Sequence, residues 1–218
     1  MKKFAIAALL AGTVLVPLAE AAQVRFSSPA WRDATYGGGE FNVDLGANGS
    51  IDFQSFCLEK NEGLDFGVNL NYTTDAGAWG GGLAGGTPDI ISEGTSYLFD
   101  MFLQQTLPGY SFATGNAVAN AARAASGRQL QDAIWALEEE QAVNLANPFI
   151  VMVVGQFNSI AGAMADASSG TIGVLNPTAP VSGIRRQSVL INLPDNGMAV
   201  IMLGGSLMLL GAARRRLA

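Results

Sequence analysis

The sequence predicts an α+β domain. Its core is an antiparallel β-sheet or barrel with an inserted helical segment. An N-terminal signal peptide and a C-terminal transmembrane helix flank it. Three observations predict this. Side chains alternate apolar and polar through the first third of residues 22–192. The middle shifts to a helical period, and short alternating runs return near the end. An uncharged apolar run also lies close to each terminus.

The chain opens with Met1-Lys2-Lys3 and an apolar run from Phe4 to Ala19. Ala19-Glu20-Ala21 is a small-x-small site for a signal peptidase, with cleavage expected between Ala21 and Ala22. Strands are then expected over Glu40–Leu45, Ile51–Phe56 and Leu64–Leu70, each with period two. Asn48-Gly49 between the first two marks a hairpin. Gly37-Gly38-Gly39 and the stretch 75–87 read as loops. Tyr97, Leu98, Met101 and Phe102 share a helical face, and Pro108-Gly109 ends that segment. Asn116–Ala125 is Ala-rich and predicts a second helix, with a break at Ser126-Gly127. A third is expected over Leu130–Glu140, which places Gln131 near a helix start. Pro148–Ala165 reads as a further helix, and Gly173–Leu175 and Ser188–Asn192 as late strands. Residues 22–192 suffice for one domain with its own core.

Composition removes several function classes. Residues 22–194 hold seven basic and sixteen acidic side chains, so nucleic acid is not an expected partner. The chain has no histidine, which excludes Ser-His-Asp and Cys-His catalysis and His-ligated zinc. No metal site and no cofactor is expected: Asp65, Asp75 and Asp89 lack calcium-loop spacing, and Gly80-Gly81-Gly82 lacks a phosphate-binding context. Glu138-Glu139-Glu140 reads as a solvated helix end. The single cysteine, Cys57, cannot form an intramolecular disulfide. No catalytic constellation other than Cys57 with Gln131 can be assembled, which leaves a secreted enzyme the weakest reading.

The C-terminal segment has three parts. Leu193-Pro194-Asp195-Asn196-Gly197 comes first. Sixteen uncharged residues, Met198–Ala213, follow, and then Arg214-Arg215-Arg216. The arginines would stop transfer and stay on the cytoplasmic side. This order resembles the PEP-CTERM exosortase signals, especially the variant beginning Val-Pro-Asp-Ser/Thr-Gly, with Leu193 in place of Val and Asn196 in place of the hydroxyl residue. The resemblance implies an exosortase-like processing enzyme and a membrane-held precursor bound for the cell surface or matrix; the short N-terminal signal suits a Gram-negative bacterium. A sortase signal of the Leu-Pro-x-Thr-Gly kind also fits Leu193, Pro194 and Gly197, but it lacks the Thr.

Two short stretches remain. Phe56-Cys57-Leu58 ends an expected strand, and Leu130-Gln131-Asp132-Ala133-Ile134-Trp135 opens an expected helix. Together they resemble the thioester domains of bacterial surface adhesins, whose Cys attacks a Gln within a Gln-x-Ala-apolar-Trp motif. Leu130 stands where that family most often has Thr. The resemblance implies a Cys57–Gln131 cross-link with Ala133 and Trp135 shielding it, and an amine-bearing surface or matrix partner. The physical logic runs in parallel. An amide is a poor electrophile, so thiol and carbonyl must be held close and the carbonyl polarised, here by the expected helix start. Trp135 lies one turn beyond Gln131 on the same face. The plain alternative makes Cys57 a small buried hydrophobe and Gln131 a surface residue, in a non-covalent structural component of matrix or biofilm.

Overall fold

The computed structural model describes residues 22–32, 37–80, 88–168 and 170–193. The signal peptide through Ala21, the motif residues Pro194, Asp195, Asn196 and Gly197, the apolar run after them and Arg214, Arg215 and Arg216 lie outside the described residues. Among the described residues no helix is long and apolar enough to cross a membrane.

Six strands form one antiparallel sheet. They are β1 (Gln23–Ser27), β2 (Phe41–Leu45), β3 (Phe53–Ser55), β4 (Asn69–Asp75), β7 (Ile172–Thr178) and β8 (Val189–Asn192). Their spatial order is β3-β2-β1-β4-β7-β8. A small pair, β5 (Gly77–Ala78) and β6 (Asp89–Ile90), sits apart. The long sheet curls until its ends nearly meet. Beyond β3 the chain runs on through Phe56–Leu58 beside β8. There the Leu58 N–H donates to Ser188 O at 3.0 Å and the Leu190 N–H to Phe56 O at 3.2 Å. Such a seam protects both edge strands.

Among the described residues the helices all fall between β6 and β7: α1 (Glu93–Leu103), α2 (Ala117–Leu137), α3 (Pro148–Phe157) and α4 (Ile160–Ala163). Each has a side-chain N-cap, from Ser92, Asn116, Asn147 and Ser159 in turn. Two buried clusters result. One joins Phe56 and Leu58 to the helices through Phe99, Phe102, Ile134 and Phe149. The other fills the barrel with Val24, Phe26, Phe41, Val43, Leu175 and Val189.

The Asn48-Gly49 hairpin stands where the alternation put it, with Phe41 opposite Ser55 and Val43 opposite Phe53. Four expectations need correction. The helix expected over Pro148–Ala165 is two, α3 and α4, because Asn158 takes a left-handed φ of 61° and Ser159 caps a new start. The third strand is β4, Asn69–Asp75 rather than Leu64–Leu70; Arg25 pairs with Asn69, and β4 continues alongside β7. Ser126-Gly127 does not interrupt α2, so Gln131 lies deep in a 21-residue helix rather than at its start. Glu138 and Glu140 are buried, not solvated. Glu139 adopts φ 61° just past the end of α2, and this left-handed residue turns its neighbours inward.

The buried carboxyls predict a pH dependence. Glu138 Oε1 accepts from the Ser92 N–H at 3.1 Å and hydroxyl at 2.7 Å. Burial outweighs these donors and pushes its pKa up from 4.5 to about 7. Burial likewise pushes Glu59 up from 4.5 to about 8, with Glu62 and Glu140 adding to the shift. Between pH 4.5 and these values the folded domain holds protons that the unfolded chain has released. Stability therefore falls as pH rises through that window. A melt at pH 5.5 is expected roughly 5 °C or more above one at pH 8. Glu138→Gln should reduce the difference and leave the share that comes from Glu59, and an unchanged slope in that variant would remove Glu138 as a source.

Candidate functional site

The seam at Phe56–Leu58 sets up the site. Phe56 and Leu58 spend one carbonyl and one N–H on β8, and Cys57 faces Val189 across a bridge. In an antiparallel ladder alternate residues point their polar groups to opposite sides. The N–H and C=O of Cys57 therefore point away from β8, toward β2. The β2–β3 register pairs Phe41 with Ser55. Two residues further on it would set Gly39 opposite Cys57. That rung is not made, because the Gln131 side chain occupies it.

Gln131 Oε1 accepts from the Cys57 N–H at 3.0 Å and from the Gly39 N–H at 3.2 Å. Its Nε2 donates to Cys57 O at 2.7 Å. One side-chain amide thus completes a backbone ladder. Gln131 is 0 % exposed and Cys57 4 %. The pair, 74 residues apart in sequence, meets inside the fold. The expected helix-start dipole is replaced by two backbone N–H groups from β-segments, both aimed at one carbonyl oxygen.

Glycine makes the approach possible. Gly39 has φ 89°, a backbone state that a side chain would strain. Gly38 lies against the site: a Cβ there would stand 2.8 Å from Gln131 Cγ and 2.5 Å from Trp135 Cη2. Trp135 is buried in the same cluster as Cys57. Lys60 Nζ sits 5.4 Å from the Trp135 ring centroid. Ala133 is fully buried but belongs to the helix-side cluster, as does Leu130. Of the two residues assigned to shielding, Trp135 is the one grouped with the thiol. Among the described residues the cleft over Gly38 and Gly39, bordered by Trp31, Arg32 and Arg128, holds about 10 Å³, roughly one water.

Burial pushes the Cys57 thiol up to about 12; Arg32 pulls against this and Glu59 adds to it. Cys57 is thus a protonated thiol at neutral pH, and its proton must leave as any new bond forms. Leu193, the first motif residue, is tied to the barrel. Its N–H donates to Thr171 O at 2.5 Å and its side chain packs on the barrel cluster. Ala22 O accepts from the Tyr72 N–H at 3.0 Å, so the chain is held from its expected first mature residue. No group of three or more His, Cys, Asp or Glu side chains that could hold a metal occurs among the described residues.

The sequence offered no sign of Glu40. Its buried carboxylate collects Trp31 Nε1 at 2.9 Å, the Tyr110 hydroxyl at 2.7 Å and Arg123 NH2 at 2.5 Å. The only available signal was its place directly after the glycine run. Comparison with known protein families, with curated proteins and with solved structures finds no match to this chain.

Proposed function

We propose that this is an exported surface protein carrying a latent internal thioester between Cys57 and Gln131. The observation that carries the reading is the pair of backbone N–H groups on Gln131 Oε1, from Cys57 and Gly39. In the ground state they polarise the amide. As Cys57 Sγ adds to the Gln131 carbonyl carbon, charge collects on Oε1, where two donors already point. The C–N bond then breaks. The thiol proton passes to Nε2, which leaves as ammonia, and Cys57 O, already accepting from Nε2, can steady the departing nitrogen. The product is an acyl–sulfur bond under Trp135, a stored electrophile for an amine on a matrix or neighbouring surface. No histidine is needed. Export by the N-terminal signal and processing by an exosortase-like enzyme at Leu193–Gly197 complete the proposal, carried by sequence alone.

A second reading has its own support. The Gln131 amide is fully used as a ladder rung, and the thiol sits in an apolar cluster with its pKa raised to about 12. Both facts suit a non-covalent structural component of matrix or biofilm.

Intact mass decides between them. Protein recovered from an exporting host should begin at Ala22, lack Arg214–Arg216, and be about 17 Da lighter than its sequence, since acyl transfer to the thiol releases ammonia. Methylamine should add at Gln131 and expose one maleimide-reactive thiol. Full mass with an unreacted Cys57 establishes the second reading. Retained arginines establish a plain tail anchor.

A further inference from the structure

The geometry points to Glu40 as a positioning residue that holds the Gly39 N–H on the Gln131 carbonyl. Its effect on chemistry rests on the thioester reading; its effect on Gly39 does not. Gly39 is the more precarious of the two donors. Cys57 is fixed by the barrel seam on both sides, whereas Gly39 precedes β2, where the ladder has already parted. Glu40 is what ties that end of β2 down.

The tie is specific. Glu40 Oε2 accepts from Trp31 Nε1, the Tyr110 hydroxyl and Arg123 Nε at 2.9, 2.7 and 2.9 Å. Its Oε1 accepts from Arg123 NH2 at 2.5 Å. Arg123 is itself braced: NH1 donates to Phe112 O at 2.6 Å, and Cζ stands 4.3 Å from the Trp31 ring centroid. The donors come from the chain before the glycine run, from the α1–α2 connection, and from α2. Arg123, Gly127, Gln131 and Trp135 are spaced by four and form one stripe along α2. A Cβ on Gly127 would lie 3.7 Å from Glu40 Cβ and 3.8 Å from Glu40 N, so α2 and the start of β2 nearly touch there. The clamp and the site thus share one helix face, each one turn from Gly127. A buried carboxylate with this many donors costs more to assemble than an apolar contact of the same size. What it adds is fixed geometry at the neighbouring residue.

The test compares Glu40→Gln with wild type, both recovered from the exporting host. Amide hydrogen exchange should show Gly39 exchanging at least roughly tenfold faster while Cys57 keeps its protection, a split that a general loss of stability would not produce. Thiol release by methylamine should slow by roughly tenfold or more, approaching the 10²–10³ cost of a whole oxyanion donor if Gly39 is lost outright. Arg123→Lys keeps the charge but not the two-pronged bond, and should give the same split at smaller size. Wild-type protection of Gly39 in folded Glu40→Gln overturns the proposal. So does collapse of both variants, which would make the cluster a folding element. If wild type lacks the mass loss, the thioester reading falls and the exchange result alone decides the role of Glu40.

Discussion

Gly38→Val is expected to abolish the mass loss and lower the melting temperature, while Gly37→Ala does neither. The contrast comes from position alone. A Cβ on Gly38 would meet the Trp135 ring at 2.5 and 2.9 Å and Gln131 Cγ at 2.8 Å, whereas one on Gly37 would meet nothing within 4 Å. Neither neighbour of Gly38 can yield cheaply. Trp135 is packed into the barrel cluster, and Gln131 is pinned by hydrogen bonds at both ends of its amide. Overpacking of this kind costs roughly 1–3 kcal/mol, and valine adds two methyls beyond the first clash. For a domain this size that is about 2–4 °C per kcal/mol. The chemical effect should be larger than the thermal one. Displacing Gln131 by even about 1 Å takes its carbonyl off both backbone donors. Differential melts and intact masses of the two variants measure this. A Gly38→Val protein with wild-type mass loss would show that the glycine run does not form the roof of the site.

Much of this arrangement was legible, and the illegible parts have physical reasons. The hairpin was legible because turn chemistry is local: Gly49 takes φ 94°, and Asp44 Oδ2 accepts its N–H at 2.8 Å. That Cys57 and Gln131 meet was anticipated only through the resemblance to thioester domains; what the fold shows is their hydrogen-bonded contact. The helix break at Ser126-Gly127 was misread because both residues serve packing rather than termination. The Ser126 hydroxyl accepts from the Ser111 N–H at 3.1 Å, tying down the α1–α2 connection. Gly127 clears space for Tyr110 Oη, which would lie 3.3 Å from a Cβ there. Tertiary contact thus overrode a local breaker signal. The end of β4 was missed because its Thr73-Thr74-Asp75 stretch is exposed and lacks alternation. Gly39 and Glu40 were invisible for a further reason. Their roles depend on where β2 parts from the seam, and that register is a property of the closed barrel.

The two halves of the pair should fail differently. Cys57→Ala and Gln131→Ala each remove the thioester, since each deletes one partner of the bond. Their effects on folding should diverge. Cys57 serves the site with its main chain, which alanine keeps; only a small buried sulfur is lost, at a cost of about 1 kcal/mol. Gln131 serves with its side chain. Alanine there orphans the Gly39 N–H, the Cys57 N–H and the Cys57 C=O together, three buried groups whose desolvation costs roughly 1–3 kcal/mol each before any water enters. Gln131→Ala is therefore expected to melt at least about 5 °C below Cys57→Ala. Gln131→Glu sharpens the point. Its carboxyl keeps an acceptor for the two N–H groups, but ionised it turns a second oxygen toward Cys57 O, where the wild-type amide donates at 2.7 Å. Protonated, it can donate there instead. Burial raises the pKa of such a carboxyl, so the variant should approach wild-type stability near pH 4 and lose it as pH rises toward neutrality. Thermal melts of the three variants from pH 4 to 8 provide the measurement. Equal melting of Cys57→Ala and Gln131→Ala would mean that the ladder rung supplied by Gln131 contributes nothing to the fold. The amide would then be held in place for its chemistry alone.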